Sequence, residues 1–115
     1  MRALGFQLLV EFYDCDRNLL NDVGEIEAIL NEAVVAAGAS VVETVMHRFS
    51  PQGISGVVLI SESHVTIHTW PENGYAAVDV FTCGDRQVAE KIRDLLEDRL
   101  GAGGSHVRSI DRGVR

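Results

Sequence analysis

The chain has 115 residues, 46% apolar and 23% charged, with a formal net charge of −7, which fits one soluble globular domain over residues 1–115. The acidic balance disfavours nucleic acid and anionic membrane as partners and leans toward a cationic ligand. The first residues lack the continuous apolar run of a signal peptide or membrane helix, so a cytoplasmic location is expected, and Cys15 and Cys83 have neither CxxC nor metal-type Cys/His spacing, so no disulfide or metal site is expected.

Residues 4–13 alternate well enough to predict a strand ending at Asp14-Cys15-Asp16. A helix follows. Asp22 and Glu25 resemble a capping box, Val23, Ile26, Ile29, Leu30, Ala33, Val34 and Ala37 form one apolar face, and Gly38 supplies the stop. Residues 40–49 are rich in β-branched side chains, and Ser50-Pro51-Gln52-Gly53 turns the chain into the apolar strand 54–60. In the next strand Val65 and Ile67 form one face, and His64, Thr66, His68 and Trp70 the other, up to the turn Pro71-Glu72-Asn73-Gly74. Residues 75–82 make a further strand. Gly84-Asp85 then opens a helix striped by Val88, Ile92, Leu95, Leu96 and Leu100, which residues 101–104 end. Residues 106–110 add an edge strand before a frayed basic end.

This order predicts an α+β fold, a mainly antiparallel sheet with two helices on one face, which is a two-layer αβ sandwich. Helices on one side leave the other sheet face bare. A two-fold dimer with sheets facing each other buries it and yields a larger αββα arrangement.

The segment ISESHVTIHTW, residues 60–70, gathers two serines, a glutamate, two histidines and the only tryptophan. An ordinary β-turn with exposed histidines accounts for it without any chemistry. A serine hydrolase would need a GxSxG elbow, and Gly53-Ile54-Ser55-Gly56 lacks that spacing. His64 and His68 share a strand face, but Cα atoms about 13 Å apart do not hold one metal ion. A pyridoxal enzyme needs a Schiff-base lysine, and the only lysine, Lys91, falls in the middle of the second helix. One further chemistry suits a serine in a tight turn. The Ser63 hydroxyl can attack the Glu62 carbonyl to give an ester; elimination then breaks the chain, and hydrolysis of the dehydroalanine leaves a pyruvoyl group. A carbonyl made this way condenses with an amine substrate and accepts electrons without any lysine.

The stretches FSPQGISGVV, ISESHVTIHTWPE and GYAAVDVFTCGD, with LLVEFYDCD near the start, closely resemble the prokaryotic S-adenosylmethionine decarboxylase proenzymes. The similarity covers nearly the whole chain and is weakest beyond Gly101. It implies cleavage between Glu62 and Ser63, giving a β chain of residues 1–62 and an α chain of 63–115 headed by a covalent pyruvoyl group derived from Ser63. It further implies that His68 is the processing base, that Ser55 assists processing, and that Cys83 donates the proton in turnover. For the substrate, S-adenosylmethionine, it marks Phe49 and Trp70 as pocket walls and Glu72 as acceptor for the ribose hydroxyls. The product feeds spermidine synthesis, and the processed protomers form a homodimer. Ornithine or arginine decarboxylation on the same scaffold, or an unprocessed regulatory homologue, are the alternative readings. Two positions depart from the pattern: Phe6 and Gln7 stand where relatives often carry a histidine, and Asp14 stands where a glycine usually precedes Cys15.

Overall fold

A computed structural model describes residues 3–114. Its six strands are β1 (Gly5–Tyr13), β2 (Val41–Arg48), β3 (Ile54–Ile60), β4 (Ser63–Trp70), β5 (Tyr75–Thr82) and β6 (Gly104–Arg112), with α1 (Val23–Ala36) after β1 and α2 (Arg86–Arg99) after β5. They form one sheet in the order β2-β3-β4-β5-β1-β6, and every neighbouring pair is antiparallel. The α+β reading of the sequence is therefore the observed fold.

Strand alternation builds the core. Leu8, Val10 and Phe12 of β1, Val58 of β3, Val65 and Ile67 of β4 and Val78 and Val80 of β5 are all buried beneath the helices. Ile26, Leu30 and Val34 of α1 and Ala89, Ile92 and Leu96 of α2 close over them, each large side chain contributing about 1.5–3 kcal/mol of burial. Both helices start at the expected caps: the Asp22 carboxylate accepts from the Glu25 amide at 3.1 Å, and that of Asp85 from the Gln87 amide at 2.8 Å. Gly38 and Gly101 follow the helix ends with φ of +92° and +65°, the left-handed stops that glycine adopts without cost.

Three local features differ from the sequence reading. The last strand runs from Gly104 to Arg112 because every residue of β1 finds a partner on it, from Gly5 opposite Arg112 to Tyr13 opposite Gly104. The chain end is correspondingly held, with the Arg112 guanidinium donating to Gln7 Oε1 at 2.8 Å, while Arg115 lies outside the described residues. A 3-10 turn at Leu19–Asn21 was not expected, since three residues leave no periodicity to read. That turn braces the sheet: Thr69 Oγ1 donates to the Leu20 carbonyl at 2.8 Å and accepts from the Ile54 amide at 2.9 Å, while Asn21 Oδ1 accepts from the Gly53 amide at 3.1 Å.

With both helices on one side, the opposite sheet face is open. Tyr13, Val45, Leu59, Trp70 and Ile110 are exposed there, more apolar surface than strands facing water usually carry.

Candidate active site

The residues singled out in the sequence fall into two groups at opposite ends of β4. At the C-terminal end, the β3–β4 register sets Ser55 directly opposite His68, and Ser55 Oγ lies 2.7 Å from His68 Nδ1. Phe49, Ser55, His68, Trp70 and Glu72 border one cleft of about 240 Å³. The Thr69 and Asn21 hydrogen bonds lie beneath it, so the backbone carrying the pair is tied down on both strands.

Aromatic side chains extend this end across the open face. Trp70 packs on Tyr75 with ring centroids 5.2 Å apart, Tyr75 stacks on Tyr13 at 5.6 Å, and His47 meets Phe49 edge-on at 4.4 Å. The Tyr75 hydroxyl donates to Glu11 Oε1 at 2.5 Å. Burial first, and then the Glu11 carboxylate, push the Tyr75 hydroxyl above its ordinary range, so it remains a donor. Tyr13 and Glu11 escaped the sequence reading; their signal was the parity of β1, which puts them on the same face as Tyr75.

The N-terminal end of β4 holds the other group. Ile60 pairs with Ser63 across a two-residue turn, Ser61-Glu62, and Glu62 takes a left-handed backbone with φ of +62°. On its other side Ser63 pairs with Thr82 of β5, so Cys83, the next residue, leaves the sheet at the same end as the Glu62–Ser63 peptide. The Cys83 thiol is exposed. Cys15 is the opposite case: it is buried, and desolvation followed by the Asp14 charge raises its pKa to about 11, which makes it an inert core thiol.

These two groups do not meet within the chain. His68 lies five residues along an extended strand from Ser63, about 17 Å, and an odd separation turns the two side chains to opposite faces. The resemblance implied His68 as the processing base for Ser63; within the chain Ser55, Phe49, Trp70 and Glu72 lie beside the imidazole, and Glu62 and Cys83 at the end that carries the serine. Among the described residues no cluster of three or more His, Cys, Asp or Glu side chains could hold a metal ion. Lys91 is exposed on α2, away from both groups.

Fold and site together define an α+β half-sandwich whose bare sheet face carries the Ser55–His68 pair and Trp70, with Ser63 and Cys83 at the far end of β4. The family model for S-adenosylmethionine decarboxylase matches residues 6–113. An S-adenosylmethionine decarboxylase proenzyme from Caldanaerobacter subterraneus subsp. tengcongensis is 64% identical over 114 residues, covering 99% of this chain and 92% of the relative. One from Moorella thermoacetica is 52% identical over 114 residues, covering 99% and 91%. The crystal structure of the adenosylmethionine decarboxylase from Aquifex aeolicus superimposes with a TM-score of 0.94 at 34% identity, covering 100% of this chain and 95% of that one. A Trypanosoma brucei AdoMetDC monomer shares the fold, with a TM-score of 0.63 at 21% identity over 89% of this chain and 44% of its own. The chain belongs to the S-adenosylmethionine decarboxylase family.

Proposed function

We propose that the chain is a proenzyme that cuts itself between Glu62 and Ser63 and then, as a homodimer, decarboxylates S-adenosylmethionine, releasing carbon dioxide and the aminopropyl donor used in spermidine synthesis. The observation that carries the dimeric form is the separation of the Ser55–His68 pair from Ser63 by about 17 Å of strand. Two open faces stacked about a two-fold axis that lies between the sheets and crosses β4 at right angles lay β4 of one copy antiparallel over β4 of the other, which brings each Ser63 end onto its partner's His68 end. The exposed Val45, Leu59, Trp70 and Ile110 then become the interior of an αββα sandwich.

Cutting the chain uses only its own groups, and water enters after it. The Ser63 hydroxyl attacks the Glu62 carbonyl carbon, the carbon–nitrogen bond breaks, and the proton passes to the freed amine. An imidazole from the partner copy then removes the Ser63 α-proton, so that the bond from Ser63 Cβ to the ester oxygen breaks, Glu62 leaves as a carboxylate and residue 63 becomes dehydroalanine, which takes up water and loses ammonia to leave the pyruvoyl group. Hydrogen bonding to Ser55 at 2.7 Å fixes the orientation of the His68 ring for that transfer.

The residues present fit a pyruvoyl group: a serine follows a tight turn, and the only lysine is exposed on α2. That group supplies a carbonyl able to condense with the substrate amine and to take up the electrons of the broken carbon–carboxylate bond. Phe49 and Trp70 present π-faces to the purine and attract the sulfonium, Glu72 accepts from the ribose hydroxyls, and the net charge of −7 favours a cationic substrate. Cys83 delivers a proton to the product carbon. The name shared by the relatives favours the adenosyl substrate over ornithine or arginine. No helix among the described residues is long and apolar enough to cross a membrane, which agrees with a cytoplasmic enzyme.

Intact-mass measurement of the purified protein, with carbon dioxide release from carboxyl-labelled S-adenosylmethionine, ornithine and arginine, tests this reading. Two fragments meeting at residues 62 and 63 and label released only from S-adenosylmethionine are expected. An uncut chain, or release only from an amino acid, overturns it.

A further inference from the structure

Among the described residues Glu62 and Asp14 are the non-glycine residues at positive φ, and Glu62 is the one that owns the peptide carbonyl at the proposed cut. A left-handed backbone costs an L-residue roughly 1–2 kcal/mol, and glycine or asparagine is the ordinary occupant of such a turn position. Glutamate has neither the missing Cβ of glycine nor the short amide with which asparagine eases that region, and its carboxylate points to solvent. The turn cannot relax by moving its ends. Ile60 is paired to Ser63, Leu59 to His64, and Ser63 to Thr82 on the far side, so strands on both flanks hold the loop closed.

We propose that the left-handed backbone of Glu62 is a loaded conformation that drives the amide-to-ester shift at Ser63, making Glu62 a positioning residue for self-cleavage through its φ angle and independently of its charge. This rests on the self-cleaving reading given above. In the shift the Ser63 Oγ bonds to the Glu62 carbonyl carbon, the bond from that carbon to the Ser63 nitrogen breaks, and the hydroxyl proton goes to the amine. The link from that carbon to Ser63 Cα lengthens by one bond, running through oxygen and Cβ in place of nitrogen alone. The added bond slackens the two-residue loop and lets Glu62 return to negative φ. An ester is ordinarily the less stable partner of an amide, so strain confined to the amide raises the fraction of ester from which elimination proceeds. Cleavage frees the Glu62 end completely, so the strain is absent from the product.

The test follows uncut chain with time after a pulse of cell-free synthesis, for the parent and for Glu62→Gly, Glu62→Asn, Glu62→Gln and Glu62→Ala. Glycine and asparagine relieve the strain, and both should slow cleavage by about fivefold to thirtyfold. Glutamine and alanine keep the strain without the carboxylate and should cleave within about twofold of the parent. In the uncleavable Ser63→Ala background the same four changes are read by melting temperature. Glycine and asparagine should raise it by about 2–6 °C, while glutamine and alanine leave it near the parent's. Equal cleavage rates across all four, or a loss in glutamine and alanine as large as in asparagine, overturn the role of the φ angle alone. A parent chain that is never cut overturns the self-cleaving reading as well.

Discussion

Mixed dimers of Ser63→Ala and His68→Ala chains put the separation of the two groups to a direct test. A base removes a proton from within about 3 Å, and the strand places His68 about 17 Å from the serine of its own chain, so a protomer cannot serve itself. His68→Ala alone should remain uncut, because neither site of its dimer has the imidazole; Ser63→Ala alone should remain uncut for want of the hydroxyl. In a dimer holding one of each, one site pairs the intact Ser63 of the first chain with the intact His68 of the second, and the other site has neither. Random mixing in equal amounts puts about half of the His68→Ala chains into such dimers, so about half of that chain should be cut. The assay is co-expression with two distinguishable tags, followed by denaturing gels read for each tag. Rescue should appear only on the His68→Ala chain and never on Ser63→Ala. Full self-cleavage of His68→Ala on its own, or no rescue in mixtures shown to contain mixed dimers, would refute the two-chain site.

Cys83→Ala should be cut like the parent but lose about 10²- to 10⁴-fold in carbon dioxide release per pyruvoyl group titrated with a carbonyl reagent, since its proton is needed only after processing; a full and stable rate would assign that proton elsewhere. Burial holds the Cys15 thiol protonated to about pH 11 in the fold, whereas an unfolded thiol loses its proton near 9.0. Between those values the unfolded chain binds fewer protons, so stability should fall as pH rises through that window, by about 2–3 kcal/mol, and Cys15→Ala should lose that part of the slope in urea unfolding at each pH. Asp14 sits at φ of +54°, and Asp14→Gly should stabilise the chain by about 0.5 kcal/mol, seen as a higher denaturation midpoint with unchanged slope.

The sheet and both helices were legible because their signals are local. Alternation on residues 4–13 and 64–68, the apolar run 54–60, the caps Asp22 and Asp85, and the stops Gly38 and Gly101 each specify structure within a few residues. The Leu19–Asn21 turn was not legible, because its role rests on Thr69 and Gly53, which are distant in sequence. The clustering of Ser55 with His68 was half visible: the parity of β4 puts His68 on the open face, but only the β3–β4 register selects Ser55 as its neighbour. Cys83 is similar, since its place at the Ser63 end follows from the pairing of Ser63 with Thr82. Eleven consecutive residues look like one reactive cluster when written in a line. Eight of them, Ser63 to Trp70, lie on one extended strand that spreads them over about 23 Å, while the turn folds Ile60 back beside Ser63.

That spreading gives β4 a mechanical task in the proposed dimer. Each copy lends its Ser63 end to one site and its His68 end to the other, so the strand is the strut that fixes the spacing between the two active sites. Its length is constrained by alternation as well as by reach: inserting one residue between Ser63 and His68 would turn either the hydroxyl or the imidazole to the opposite sheet face, besides adding about 3.3 Å. Pairing with β3 and β5 on both sides prevents the strand from buckling to absorb such a change. In the proposed mechanism the separation of hydroxyl and imidazole also gives the folded monomer a safeguard, because a chain that has not yet found its partner holds its own His68 about 17 Å from its own serine. Completion of self-cleavage is then tied to assembly, and the ester step, which uses groups of one chain alone, is the part of processing that can begin before it.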